Sequence, residues 1–179
     1  LQRHWPQARL HWVIDKGGFK LLEGLEGVTF HTYDKKTGLA GMRALRAELP
    51  AEGFDALLQM QVALRANLLS AFIRARRRIG YDRRRSKDLH GLVINERIPD
   101  RPGIHVLDAI GSFCEPLGLK QTGVTWDLPV PADAHAWARA QWPTDAMRTL
   151  VISPCSSHER RNWYADRYAA VADHAAAQG

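Results

Sequence analysis

Short runs of β-branched and aromatic residues alternate with stretches of helical period along this chain, and that alternation limits the folds open to it. Leu10-His-Trp-Val-Ile, Val28-Thr-Phe-His-Thr-Tyr and Phe54-Asp-Ala-Leu-Leu-Gln-Met read as strands, and Arg78-Ile-Gly-Tyr as a shorter one. Between the first two, Gly18 to Leu25 has room for only a short helix. Leu39 to Leu49 is a longer one, with Met42, Leu45 and Leu49 on one face and Pro50 as its stop. Ala63 to Ile73 is helical again, with a broad apolar face built on Leu64, Leu68 and Phe72. Strands separated by helices predict parallel β–α–β units, so the fold class is α/β.

The second half is looser. A helix is expected from Ile104 to about Leu117, burying Val106, Leu107, Ile110, Phe113, Cys114 and Leu117 and ending at Gly118. Gly123, Pro129 and Pro131 mark an extended connector, and Ala132 to Trp142 is an Ala-rich helix. The apolar run Leu150 to Ile152 reads as a strand that stops at Pro154, and an amphipathic helix opens near Tyr164. This divides the chain into a first domain over 1–121, a connector with a helix over 122–147, and the start of a second domain over 148–179. One strand and one helix do not finish a domain. Leu1 to Ala8 reads as the last turn of a helix broken at Pro6, so the sequence is expected to be an internal segment of a larger α/β protein.

Cys114 and Cys155 lie far apart with no Cys-x-x-Cys pair, which gives neither a disulfide framework nor a zinc site and fits a reducing compartment. No metal-ligand spacing occurs elsewhere. The 25 basic residues outnumber the 19 acidic ones. Much of the excess crowds into Arg74, Arg76, Arg77, Arg78, Arg83, Arg84, Arg85 and Lys87. Such a block reads equally as a surface for an anionic partner or as a solvated helix end and loop.

The strongest chemical signal is Ser153-Pro-Cys-Ser-Ser-His-Glu-Arg-Arg-Asn-Trp, a hydroxyl-rich basic loop between an apolar run and a helix. Hydroxyls, backbone N–H groups and guanidinium suit a phosphate there. The plainer reading is that the serines cap a helix and Arg161 forms a surface ion pair. Cys155 beside His158 lacks the third group that would orient a nucleophile–base pair. His105 and Asp108 suit the first turn of a helix, and Asp15 and Asp34 suit turns after strands.

That loop, with Asp166-Arg-Tyr-Ala-Ala-Val-Ala after it, resembles the start of the C-terminal domain of bacterial lipopolysaccharide heptosyltransferases, glycosyltransferase family 9. Phe54-Asp-Ala-Leu-Leu-Gln-Met-Gln-Val-Ala-Leu-Arg-Ala, Ile79-Gly-Tyr-Asp and Ile104-His-Val-Leu-Asp fit in register. The resemblance implies the Rossmann-like N-terminal domain of a GT-B glycosyltransferase lacking its first strand, plus the first strand and helix of the C-terminal domain. It implies an enzyme that moves heptose from ADP-heptose onto the lipopolysaccharide inner core by inversion, without a metal or other cofactor. The partners would be an ADP-sugar donor and a Kdo-lipid A or inner-core acceptor, with no nucleic acid. The place would be the cytoplasmic side of the inner membrane, in peripheral contact with anionic lipid. Residue by residue, it puts Ser156, Ser157 and Arg161 on the donor pyrophosphate, where the family often has Lys in place of Arg161. Trp163 matches an aromatic beneath the loop, and Gln61, Arg65 and Lys87 fall on the acceptor side. The catalytic base, an aspartate, would lie before Leu1 and the Gly-rich nucleotide site beyond Gly179, so this segment alone is expected to be inactive. The alternatives are a basic module for nucleic acid or anionic lipid, and a non-catalytic remnant.

Overall fold

The computed structural model describes residues 1–120, 123–142 and 149–178. The chain divides into two compact units, Leu1–Pro129 and Val130–Gly179. The dividing point lies inside the 122–147 segment read as a connector.

In the first unit, β1 (Leu10–Ile14) and β2 (Val28–Thr32) pair in parallel, Leu10 opposite Val28. The crossover α1 (Lys16–Leu22) is capped by Asp15, which accepts from the N–H groups of Gly17 and Gly18. Asp34 caps the following 3₁₀ turn by accepting from Lys36 N–H. Both aspartates therefore serve turns, as their positions after strands suggested. Next come α2 (Gly38–Glu48), β3 (Phe54–Gln59), α3 (Leu64–Ala71), β4 (Ala75–Gly80) and the two-residue β5 (Glu96–Arg97). β3, β4 and β5 form a second parallel sheet in that order. α4 (Val106–Gly111) follows, with a 3₁₀ turn over Ser112–Leu117.

Alternation along the strands builds two apolar clusters. Leu57 packs with Leu45, Leu49 and Ile73, joined by Val13 and Phe54, whereas its neighbour Leu58 packs with Ile79, Ile98 and Phe113. A parallel sheet covered on both faces needs this division. Met42, Leu45 and Leu49 are buried as the helical spacing predicted.

Four expectations need correction. First, α3 is turned: Leu64 and Leu68 are exposed, and the buried positions are Asn67 and Ser70. A buried polar network outcompetes the apolar stripe there. Second, no helix runs unbroken from Ile104 to Leu117. Ser112 Oγ bonds back to Asp108 O at 2.9 Å, and Pro116 has no N–H for the next α turn, so the segment tightens to 3₁₀. Val106 and Ile110 are exposed and Cys114 is half-buried, while Ala109, Ser112 and Phe113 face inward. Third, β4 begins at Ala75, so Arg76, Arg77 and Arg78 belong to a central strand. Fourth, Leu150–Ile152 forms no strand: a strand persists only within a ladder, and the described residues of the second unit contain no other strand. That unit holds α5 (Ala132–Gln141) and α6 (Ala165–Gln178).

Candidate functional site

In the first unit, polar side chains gather where β3 and β4 end. Gln59, the last residue of β3, donates through Nε2 to Gln61 O and to Asn67 Oδ1, both at 3.0 Å. Asn67 Nδ2 faces three carbonyls: Val62 O at 3.0 Å, Lys87 O at 3.3 Å and Asp88 O at 2.9 Å. His90 Nε2 accepts from Tyr81 N–H at 3.0 Å. Its Nδ1 therefore carries the proton and donates to Asn67 Oδ1 at 2.9 Å. Asn67 and His90 are each 1% exposed. Burial, with the Arg97 charge adding to it, pushes the His90 imidazole below its ordinary pKa, in keeping with this neutral tautomer.

Part of the basic block is built into the fold. Arg78 gives its guanidinium to Ile73 O, Ser70 O and Val93 O, each at 2.6 Å, closing the carbonyl end of α3. Arg77 makes a two-pronged bond to Glu96, 2.7 Å on each side, and reaches Pro116 O. Arg84 bonds to Asp100 at 3.0 Å. Asp82 accepts from the N–H groups of Arg84 and Arg85 and from the Arg85 guanidinium. Burial works against the Asp82 charge, but the Arg85 guanidinium and those N–H groups outweigh it and hold the carboxyl below its ordinary range. Arg74, Arg76, Arg83, Arg84 and Lys87 are exposed, so the solvated reading holds for most of the block, while Arg77, Arg78 and Arg85 are drawn into the fold. Carbonyls and carboxylates distant in sequence converge on these arginines.

Two open depressions flank this region. One, of about 450 Å³, is lined by Arg83, Ser86, Lys87, Leu89, His90 and Arg97. The other, of about 340 Å³, is lined by Met60, Gln61, Tyr81, Arg85, Val106 and Ile110. Lys87 thus opens on the first and Gln61 on the second. Arg65 lines neither; it sits exposed on α3, two residues before Asn67. The side chains of Lys87 and Arg65 have no bonding partner among the described residues. Sequence reading missed Gln59, Asn67 and His90. The available signal was a pair of polar residues, Asn67 and Ser70, three apart inside an apolar helix.

In the second unit the loop holds itself. Ser156 N–H donates to Asn162 Oδ1 at 2.7 Å, and Ser156 Oγ both donates to His158 O and accepts from His158 N–H. A 3₁₀ turn spans Glu159–Arg161, with His158 Nδ1 accepting from Arg160 N–H. His158 is therefore a turn cap, and Cys155 is a free, exposed thiol. Ser157 and Arg161 are exposed, and among the described residues no side-chain bond ties them down. Trp163 packs edge-on against Tyr168 at 5.4 Å, so it braces the first turn of α6. In α4, His105 Nδ1 accepts from Leu107 N–H at 3.2 Å, a cap as its position predicted. No helix of the described residues is long and apolar enough to cross a membrane.

Comparison with known proteins places the chain. It is 37% identical over 173 residues to the lipopolysaccharide core heptosyltransferase OpsX of Haemophilus influenzae, which covers 97% of this chain and 50% of that protein. The chain spans about half the length of that curated relative. Among solved structures it is similar to the glycosyl transferase family 9 protein of Veillonella parvula, with TM-score 0.72 and 20% identity over 97% of this chain and 52% of that one. It is also similar to E. coli heptosyltransferase WaaC with ADP, with TM-score 0.66 and 18% identity over 93% of this chain and 55% of that one. These structures carry the expected α/β fold. Residues 42–179 match glycosyltransferase family 9 (heptosyltransferase), and the chain belongs to that family.

Proposed function

We propose that the protein transfers heptose from ADP-heptose to the inner core of lipopolysaccharide. The observation that carries this reading is the 37% identity to a lipopolysaccharide core heptosyltransferase, sustained over 97% of the chain. The site supports it through its uncommitted groups. Most arginines of the basic block are consumed by internal bonds, while Arg65, Lys87 and Arg161 are left available for an anionic ligand.

On this reading Ser156, Ser157 and Arg161 hold the donor pyrophosphate, and Gln61, Arg65 and Lys87 form the wall that meets an acid-bearing acceptor sugar. A carboxylate base takes the proton from an acceptor hydroxyl, and the hydroxyl oxygen attacks the anomeric carbon with inversion. The bond from that carbon to the pyrophosphate oxygen breaks, and ADP departs with its new charge stabilised by the Ser157 hydroxyl and the Arg161 guanidinium, joined by Ser156 once its hydroxyl proton leaves His158 O. That base is assigned to no residue of this chain. The guanidinium supplies the countercharge, so a chelator is expected to leave turnover unchanged. The lipid-bearing acceptor would bring the protein to the cytoplasmic face of the inner membrane.

The test is a transfer assay with full-length protein, ADP-heptose and Kdo-lipid A, read by mass spectrometry of the acceptor. Addition of one heptose is the expected result. Folded protein that binds ADP but leaves this acceptor unmodified would overturn the acceptor assignment, and failure to bind ADP would overturn the donor assignment.

A further inference from the structure

Two consecutive non-glycine residues, Asp88 at φ 50° and Leu89 at φ 66°, hold left-handed backbone directly after Lys87. Such a conformation persists only where the surroundings over-determine it. Here the restraint is visible. Asn67 Nδ2 binds the carbonyls of both Lys87 and Asp88, and His90 N–H closes a turn onto Lys87 O at 2.9 Å. The same carboxamide nitrogen binds Val62 O, beside Gln61, while Gln59 ties Gln61 O to the Asn67 oxygen. The amide cannot be flipped. Its oxygen meets two donors, Gln59 Nε2 and His90 Nδ1–H, and its nitrogen meets only carbonyls.

We infer that Asn67 is a positioning residue for the acceptor wall, clamping the strained loop that presents Lys87 to the segment that presents Gln61. It touches no substrate, and it acts through Lys87 above all. The inference rests on the acceptor-side reading of Lys87, Gln61 and Arg65. Without the clamp the loop relaxes toward ordinary right-handed backbone, and the Lys87 ammonium no longer stands at the edge of its recess.

Asn67→Asp separates the two halves of the carboxamide. It keeps an oxygen for Gln59 and His90 and replaces the donor facing Val62, Lys87 and Asp88 with an acceptor. In full-length protein, with ADP-heptose and Kdo-lipid A as probes, the acceptor KM should rise about tenfold with the donor KM unchanged. In a Lys87→Gln background the same substitution should add less than about twofold, because two residues acting through one contact are not additive. An unchanged acceptor KM, or a full tenfold effect in both backgrounds, would leave Asn67 as fold support and overturn this inference while sparing the wall. Lys87→Gln and Arg65→Gln that each leave acceptor KM unchanged would bring down the wall reading and this inference with it. Should Asn67→Asp not fold, Asn67→Ser carries the same cycle, since its shorter hydroxyl cannot span to all three carbonyls.

Discussion

Arginine does opposite work in the two units. Between Arg77 and Arg85 the guanidinium groups of Arg77, Arg78 and Arg85 point into the fold and end on carbonyls and carboxylates, while the exposed Arg84 pairs with Asp100 at the surface. At Arg161 the backbone is fixed in a 3₁₀ turn while the side chain is left in solvent. The first arrangement desolvates a charge only where several acceptors surround it; the second fixes the position of a charge without neutralising it. A basic cluster is therefore a poor guide to ligand binding until its internal acceptors are known. What marks a binding group is a cation that the fold positions and leaves unpaired.

The comparison makes graded predictions. The largest effect falls on the free guanidinium: Arg161→Ala in full-length protein should lower turnover by about ten- to a thousand-fold, the range for losing a charge partner of the leaving group. Its melting temperature should stay unchanged. Turnover near wild type would remove Arg161 from the reaction and blur the contrast between the units. For the embedded guanidinium the signs reverse. Arg78→Ala strands Ser70 O, Ile73 O and Val93 O and should cost about 2–4 kcal/mol in urea unfolding. A cost under about 0.5 kcal/mol would show that water replaces those bonds without penalty.

The neutral histidines sharpen the point. Burial, the neighbouring His31 and Arg9 lower the pKa of His11, as burial and Arg97 lower that of His90. An unfolded chain takes up protons on histidine near pH 6.5, the folded one only at lower pH. In that window the unfolded state binds more protons, so stability should fall as pH drops below about 6.5. The paired carboxyls run in a separate, lower window. Asp82, whose burial is outweighed by Arg85, and Glu96, bonded to Arg77, both have lowered pKa values, so their contribution is lost only as pH falls below about 4. A urea midpoint flat between pH 7.5 and 5.5 would contradict the buried, neutral His90. The smallest effect is expected at Arg76, exposed on the same strand as Arg77 and Arg78, its side chain bonded to none of the described residues. Arg76→Ala should change stability by less than about 0.5 kcal/mol, and a larger loss would mean that position in the strand, rather than internal bonding, sets an arginine's worth.

Strand and helix placement from β1 to α3 was legible in the sequence because it depends on local period and stop residues, whereas the expectations for 104–117 and 150–152 failed. Met42, Leu45, Leu49 and Pro50 outline α2, and Asp15, Asp34 and His105 announce their caps. The rotation of α3 was not legible. Leu64 and Leu68 form an apolar pair at i and i+4, and only the presence of Gln59, Val62, Lys87 and His90 around Asn67 makes the polar side the inner one. The same holds for Arg78, whose partners come from a helix end and from a loop fifteen residues on.

By itself, then, the sequence determined the α/β order, the parallel crossovers, the family motifs and the positions of Ser156, Ser157, Arg161, Gln61, Arg65 and Lys87 along the chain. Those follow from near neighbours, whose geometry the covalent chain nearly dictates. Tertiary structure alone decided which arginines are bonded inside, which face of α3 is buried, and that one asparagine ties the loop of Lys87 to the segment of Gln61. A buried polar group takes its meaning from partners distant in sequence, and only folding brings those partners within hydrogen-bond reach.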